Sequence, residues 1–267
     1  MKIKTIFWLL MMLSPSLVSM AERVRVPEGI DHADFDRLLR TYVDDRGLVD
    51  YERWKNSTED LAALDGYLGA YAPKPETEAA GHERWASLIN AYNAFTLQWI
   101  LKNYPTKSIR LLEESWPAKR HLIGGRLHSL NEIEHDNLRP EMGWRVHSAI
   151  VCAARSCPHL QTFAFSAETI DTQTESAFRT WLARNDLNSF SPSRKRVEIS
   201  QIFDWFEEDF TKDGGVGKIL SRYAPRPYRL FLKDGSYKLK FKDYHWGLND
   251  QSDLGKDYKH SLLRSFL

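Results

Sequence analysis

The stretch Val146-His147-Ser148-Ala149-Ile150-Val151-Cys152-Ala153-Ala154-Arg155-Ser156-Cys157-Pro158-His159-Leu160 holds both cysteines of the 267-residue chain and two of its nine histidines. These residue types allow three chemistries. The first is a disulfide. Two cysteines five positions apart can bridge if a turn brings their Cα atoms within about 7 Å. The closed loop is short, so its stabilisation lies near 2 kcal/mol, on the order expected from chain entropy. The second is nucleophilic attack on a carbonyl by a Cys157 thiolate. A free thiol is mostly protonated at pH 7, so Cys157 needs a base, and the base needs an orienting group. His147 and His135 are the candidate bases, and Glu134 and Asn93 the candidate orienters. The third is metal ligation by Cys152, Cys157, His147 and His159. That C-x4-C spacing sits at the edge of the zinc range and no second ligand pair accompanies it, so no metal or cofactor is assigned. Structural roles also stand open. His147 can be a core histidine bonded to a carbonyl, and Glu134 can pair with Arg139 or Arg145.

These groups need elements to hold them. The run 146–152 reads as a buried strand with His147, Ala149 and Val151 on one face. Pro158 suits the first position of a turn or helix starting at Cys157, and a helix N-terminus would lower the thiol pKa. Ser129 and Glu132 form a capping box ahead of a helix over 130–138, which puts Glu134 on the apolar side with His135 beside it. Upstream, Trp85, Leu88, Ile89, Tyr92, Phe95, Trp99 and Ile100 make the apolar stripe of a central helix. Asn90 and Asn93 lie on that helix, and Asn93 points into the apolar face. A buried amide is costly unless paired, so Asn93 must hold a loop or line a site.

The rest reads as further helices and short strands. Helices follow Asp31 and Ser57, a hairpin turns at Gly124-Gly125, and a helix covers 167–184. A strand spans 194–200, Ser200 caps a helix over 201–210, and another helix covers 216–223. The run 237–244 reads as a half-buried strand with Leu239 and Phe241 inward. The order predicts one α+β domain over 22–267, with long N-terminal helices packed on a short, mostly antiparallel sheet, papain- or transglutaminase-like.

Residues 1–21 carry Lys2 and Lys4, an apolar run from Ile6 to Val18, and small residues Ser19 and Ala21, the pattern of a cleaved secretory signal peptide. Cleavage there leaves 35 basic and 36 acidic residues from the starting 37 and 36. The mature protein is expected in the periplasm or the medium, where thiols oxidise. No later stretch is apolar enough to span a membrane. Balanced charge argues against a nucleic-acid partner. The chain has no Gly-rich phosphate loop and no serine-nucleophile elbow, which excludes the commonest nucleotide and serine-hydrolase signatures.

Several motifs occur together: Asn90-Ala91-Tyr92-Asn93, Ile133-Glu134-His135, Leu138-Arg139, His147, and Cys152 followed by Ser156-Cys157-Pro158. Ile202-Phe203-Asp204-Trp205-Phe206 with Asp209-Phe210, and Tyr244-His245-Trp246-Gly247-Leu248-Asn249, complete the series. In this order they resemble the domain-of-unknown-function 547 family over residues 31–249. The resemblance marks 121–160 as the informative region and supplies no reaction. The family usually carries aspartate and serine where this chain has His245 and Gly247, and often proline at His159.

The sequence thus predicts an exported cysteine-dependent hydrolase or acyl-transfer enzyme acting on peptide or amide bonds. Cys157, His147, His135 and Glu134 would be catalytic, with Asn90, Asn93, Cys152 and Arg139 binding. The alternative is a non-enzymatic periplasmic binding or thiol-redox module with a Cys152–Cys157 bridge. Its partner would be a peptide, a thiol or another protein.

Overall fold

A computed structural model describes residues 23–258; the leader read at 1–21 lies outside them. The first half is helical. Helix α1 (Ala33–Tyr42) buries Phe35, Leu38, Leu39 and Tyr42. A short α2 (Tyr51–Lys55) follows. Helix α3 (Thr58–Gly69) starts where Ser57 Oγ accepts the Asp60 N–H at 3.2 Å, as its cap residue predicts. Helix α4 (Gly81–Asn103) is the axis of this half. Every residue from Ala86 to Leu97 is buried, so α4 is covered all round rather than along one stripe.

Strands β1 (His121–Ile123) and β2 (Arg126–His128) form the expected hairpin. Gly124 and Gly125 both have positive φ (61° and 81°), which a two-residue turn of this hand requires. After α5 (Arg139–Met142) and α6 (Ile170–Ala183) the chain forms a three-stranded sheet. Its strands are β3 (Ser189–Ser191), β4 (Arg196–Ser200) and β5 (Lys238–Lys242), in the order β3-β4-β5. The β3–β4 pair is antiparallel and the β4–β5 pair parallel. Helices α7 (Ile202–Trp205), α8 (Glu207–Thr211), α9 (Gly215–Tyr223) and α10 (Arg229–Asp234) connect β4 to β5. The architecture is α+β, with helix dominant.

Buried side chains fall into two clusters. One surrounds α4 and takes in α1, α3 and the 149–165 segment. The other gathers Trp144, Phe178, Trp181, Val197, Ile199, Phe203 and Phe210. Trp205 and Tyr244 pack against both clusters, so the seam between them is where the cleft described below opens.

Two local expectations change. The 146–152 run is not a strand. Residues Gly143–Ser148 form a 3-10 helix, and the chain beyond is irregular. No neighbouring strand is there to pair with it. Ala149 and Ile150 N–H instead turn back to the Val146 carbonyl at 2.9 and 3.1 Å. A short apolar run does not by itself decide between strand and helix. In β5, Leu239 and Phe241 are 37% and 38% exposed rather than inward. They pair with the buried Val197 and Ile199 of β4, but β5 is the sheet edge and the core ends beneath its neighbour. Among the described residues, no helix is long and apolar enough to cross a membrane.

Candidate functional site

The site begins with a capping box. Ser129 N–H donates to Glu132 Oε2 at 2.9 Å, and Glu132 N–H donates to Ser129 Oγ at 3.1 Å. The helix that follows is not α but π over Glu132–Leu138, with the Arg139 N–H reaching the Glu134 carbonyl five residues back. Wide turns of this kind recur at functional sites, where they re-aim side chains. Here the turn directs Glu134 and His135 into one cleft.

Asn93 supports the segment that carries Cys152 from behind. Its Nδ2 donates to the Ala149 carbonyl and its Oδ1 accepts the Val151 N–H, both at 2.9 Å. The buried amide therefore holds the segment immediately before Cys152, with both of its polar ends satisfied. Asn90 clamps Phe165 in the same way, at 2.8 and 2.9 Å. Neither asparagine lines the cleft; each positions a loop.

Cys152 and Cys157 are joined as a disulfide across a Cα–Cα distance of 6.5 Å. Both line the cleft. Cys157 is 3% exposed and Cys152 half-buried. The Tyr244 hydroxyl lies 3.1 Å from each sulfur, and the Cys152 N–H donates to Cys157 Sγ at 3.2 Å. Burial, reinforced by the Glu134 charge, pushes the Tyr244 hydroxyl above the ordinary tyrosine range, so it remains a protonated donor. Cys157 does not begin a helix. The chain stays irregular until α6, so the expected helix N-terminus is absent, and Tyr244 O–H and Cys152 N–H are the donors at this sulfur.

The third wall is ionic. His147 Nε2 lies 2.7 Å from Asp209 Oδ2. Arg139 Nε donates to the same carboxylate oxygen at 2.7 Å, and its Nη2 to Glu208 at 2.8 Å. Burial alone would raise the Asp209 carboxyl, but hydrogen bonds from His147 and Arg139 outweigh it and hold the group below the usual aspartate range. Arg139 Nη1 also lies 2.9 Å from His135 Nδ1. Phe206 backs the group: the His147 ring stacks on it at 4.4 Å between centroids, and the Arg139 guanidinium lies 4.7 Å from its centroid.

These contacts settle what the two histidines present. A carboxylate only accepts, so His147 carries hydrogen on Nε2, and in the neutral form of the ring the lone pair is on Nδ1. A guanidinium only donates, so His135 accepts on Nδ1, and its neutral ring carries hydrogen on Nε2. One histidine is arranged as a base and the other as a donor.

The cleft encloses about 550 Å³ of free space, open solvent included. Trp116, Trp205, Phe206, Tyr244 and Trp246 supply apolar walls around the polar groups. Glu134, 8% exposed, does not hydrogen-bond Arg139 or Arg145; it accepts the Tyr92 hydroxyl at 2.9 Å. Among the described residues, no group of three or more His, Cys, Asp or Glu is arranged to hold a metal ion. His159 lies away from the cleft lining.

The structure brings together Cys152, Cys157, Glu134, His135 and His147 at the cleft, with Arg139 just behind it. Sequence reasoning did not select Asp209, Tyr92 or Tyr244 as site residues. Asp209 ends the acidic run Glu207-Glu208-Asp209, and the motif series includes Asp209-Phe210 without a role. Its position beside the buried Phe210 and four residues after Trp205 was the available signal.

Residues 77–182 match the model of a family described as "Protein of unknown function, DUF547". The match includes α4, the π turn, His147 and both cysteines. It ends before Asp209 and Tyr244, and so is shorter than the 31–249 span over which the motifs run. No curated protein and no solved structure matches the chain.

Proposed function

We propose that the protein is an exported cysteine-dependent hydrolase or acyl-transfer enzyme acting on peptide or amide bonds. Cys157 is the nucleophile, and the disulfide is its oxidised, inactive form. The observation that supports this reading is the His147–Asp209 pair at 2.7 Å in the cleft that Cys157 lines. An imidazole oriented by a half-buried carboxylate is the kind of base a thiol needs.

A dithiol reductant first opens the bridge, leaving two cysteine thiols and an oxidised reductant. His147 Nδ1 takes the Cys157 proton, and the thiolate attacks the substrate carbonyl. Tyr244 O–H and the Cys152 N–H, already directed at this sulfur, stabilise the thiolate. His135 Nε2–H serves as a donor to the developing oxyanion. Protonated His147 returns its proton to the leaving amine, and water or an acceptor amine then releases the acyl group. The test is a reduced-protein assay with activated esters and anilides, followed by intact mass. An acyl adduct on Cys157 that fails to form in Cys157→Ser and in the unreduced protein is expected. Equal turnover by reduced wild type and Cys157→Ser would overturn the reading.

A second reading rests on the contact of Tyr244 with both sulfurs. An external thiolate attacks the more accessible Cys152 sulfur, the bridge breaks, and Cys157 leaves as a thiolate held by Tyr244. This is thiol–disulfide exchange. A reduction potential below about −300 mV would mark the bridge as structural and remove this reading.

A further inference from the structure

The disulfide-closed loop has a second face. Arg155 and Ser156, between the two cysteines, line another cavity of about 1060 Å³ of free space, open solvent included. Arg46, Arg184, Lys242 and Lys256 line it as well, so five cations face one hollow that contains only Asp186 and Asp243 as carboxylates. The whole chain is nearly neutral, with 37 basic and 36 acidic residues. The concentration of positive charge is therefore local and not a consequence of composition.

Some of these charges are neutralised and some are not. Arg184 pairs with Asp186 at 2.6 Å, Arg46 with Asp44 at 2.9 Å and Lys256 with Asp253 at 3.3 Å. Arg155 has no carboxylate partner among the described residues. Its Nη2 donates to the Asp250 and Ser252 carbonyls at 3.1 and 3.0 Å, and its Nε–H is buried with no acceptor. Lys242 likewise donates only to carbonyls, of Asn185 and Asp186, at 2.9 and 3.0 Å. An ammonium has three hydrogens, so at least one remains for a ligand. Two cations are thus fixed in place by main-chain oxygens, with no carboxylate in ion-pair contact among the described residues. His245 adds none through its ring contacts. Its Nδ1 accepts the Gly247 N–H at 3.0 Å and its Nε2 faces the Lys256 carbonyl at 2.9 Å, the pattern of a neutral ring.

A concavity lined by one sign of charge focuses the field and raises the local concentration of counter-ions. Guanidinium forks match the paired oxygens of phosphates and carboxylates. We infer that this cavity is a binding site for a small, multiply charged oxyanion, a phosphorylated or polycarboxylate molecule, with Arg155 and Lys242 as its principal contacts. The site is separate from the aromatic cleft, and its existence does not depend on the chemistry proposed for Cys157.

Isothermal titration of the full chain with inorganic pyrophosphate and with citrate, in low-salt buffer, tests it. The expected result is one saturable site for at least one of the two anions. Arg155→Gln and Lys242→Gln should each weaken it about tenfold or more, while Lys212→Gln, at the exposed position just after α8, leaves it unchanged. Binding of pyrophosphate alone assigns a phosphate ligand, citrate alone a polycarboxylate, and both a site that reads charge. Near-UV circular dichroism checks that each variant is folded, and Lys242→Gln carries the test if Arg155→Gln is not. Absence of saturable binding to wild type, or equal loss in all three variants, would overturn the inference.

Discussion

The cleft has two polar walls built on different principles. The sulfur wall is a loop. Cys152 and Cys157 are placed by main-chain geometry, by the Asn93 clamp on residues 149–151, and by one tyrosine hydroxyl. The ionic wall is a set of long side chains from three elements. His147, Arg139 and Asp209 converge from the 3-10 helix, α5 and α8. The first is neutral and held by hydrogen-bond contacts of 2.9 to 3.2 Å; the second is charged and tied by contacts of 2.7 Å. Reactivity of the sulfur is assigned to the first wall and its activation to the second. Changes on the two walls should therefore have distinguishable consequences.

The largest effect is expected from removing the ionic hub. Asp209→Ala leaves Arg139 and His147 without their shared carboxylate, in a pair whose side chains are only 15% and 13% exposed for Arg139 and Asp209. Breaking such a pair costs about 3 kcal/mol or more. Urea denaturation of the oxidised protein measures this, and the disulfide should be unaffected.

On the sulfur wall, Asn93→Ala removes two buried hydrogen bonds and leaves the Ala149 carbonyl and Val151 N–H unpaired. A loss of about 2–3 kcal/mol follows from leaving such groups unsatisfied. Unlike Asp209→Ala, it should accelerate reduction of the bridge, because the segment leading to Cys152 loses its clamp. Reduction kinetics with a dithiol read this directly.

The walls also separate by pH. The Asp209 carboxyl is held below the usual aspartate value of about 3.8, so it is charged at lower pH in the folded than in the unfolded chain. Its contribution to stability is fully present above the unfolded value and is lost as pH falls through the lower folded value. Acid titration should show wild type losing stability below about pH 4, with a shallower decline for Asp209→Asn. Tyr244→Phe, on the sulfur wall, should leave that acid profile unchanged.

The smallest stability effect belongs to Tyr244→Phe itself, about 1 kcal/mol for one hydroxyl contact. Its signature is chemical instead. Reduced Cys157 should alkylate with a higher apparent pKa once the O–H donor is gone.

Much of the sulfur wall was legible in the sequence. The five-residue spacing admitted the bridge as one of three readings, and Asn93 in an apolar stripe pointed to a loop clamp or a site-lining role, of which the clamp is the one formed. The Ser129–Glu132 capping box located the turn that carries Glu134 and His135. The ionic wall was legible only in part. His147 and Arg139 were visible as residue types, but Asp209 is 62 residues from His147, and its motif carries no sign of which histidine it meets. The π turn was read as an ordinary helix, because a single widened turn leaves no periodicity signature over seven residues. The 146–152 run was misread for a related reason: whether an apolar segment forms a strand depends on a partner strand that local sequence does not specify.

The central claim is that the ionic wall activates the sulfur wall. The most direct measurement is the alkylation rate of Cys157 against pH in the reduced protein, with Cys152 replaced by alanine, for wild-type and Asp209→Asn backgrounds. The expected result is a thiolate that reacts with iodoacetamide well below pH 7, and a shift of that profile toward the free-thiol midpoint near 8.5 when Asp209 is neutralised. Superimposable profiles for the two proteins, both with the midpoint of an ordinary thiol, would contradict it.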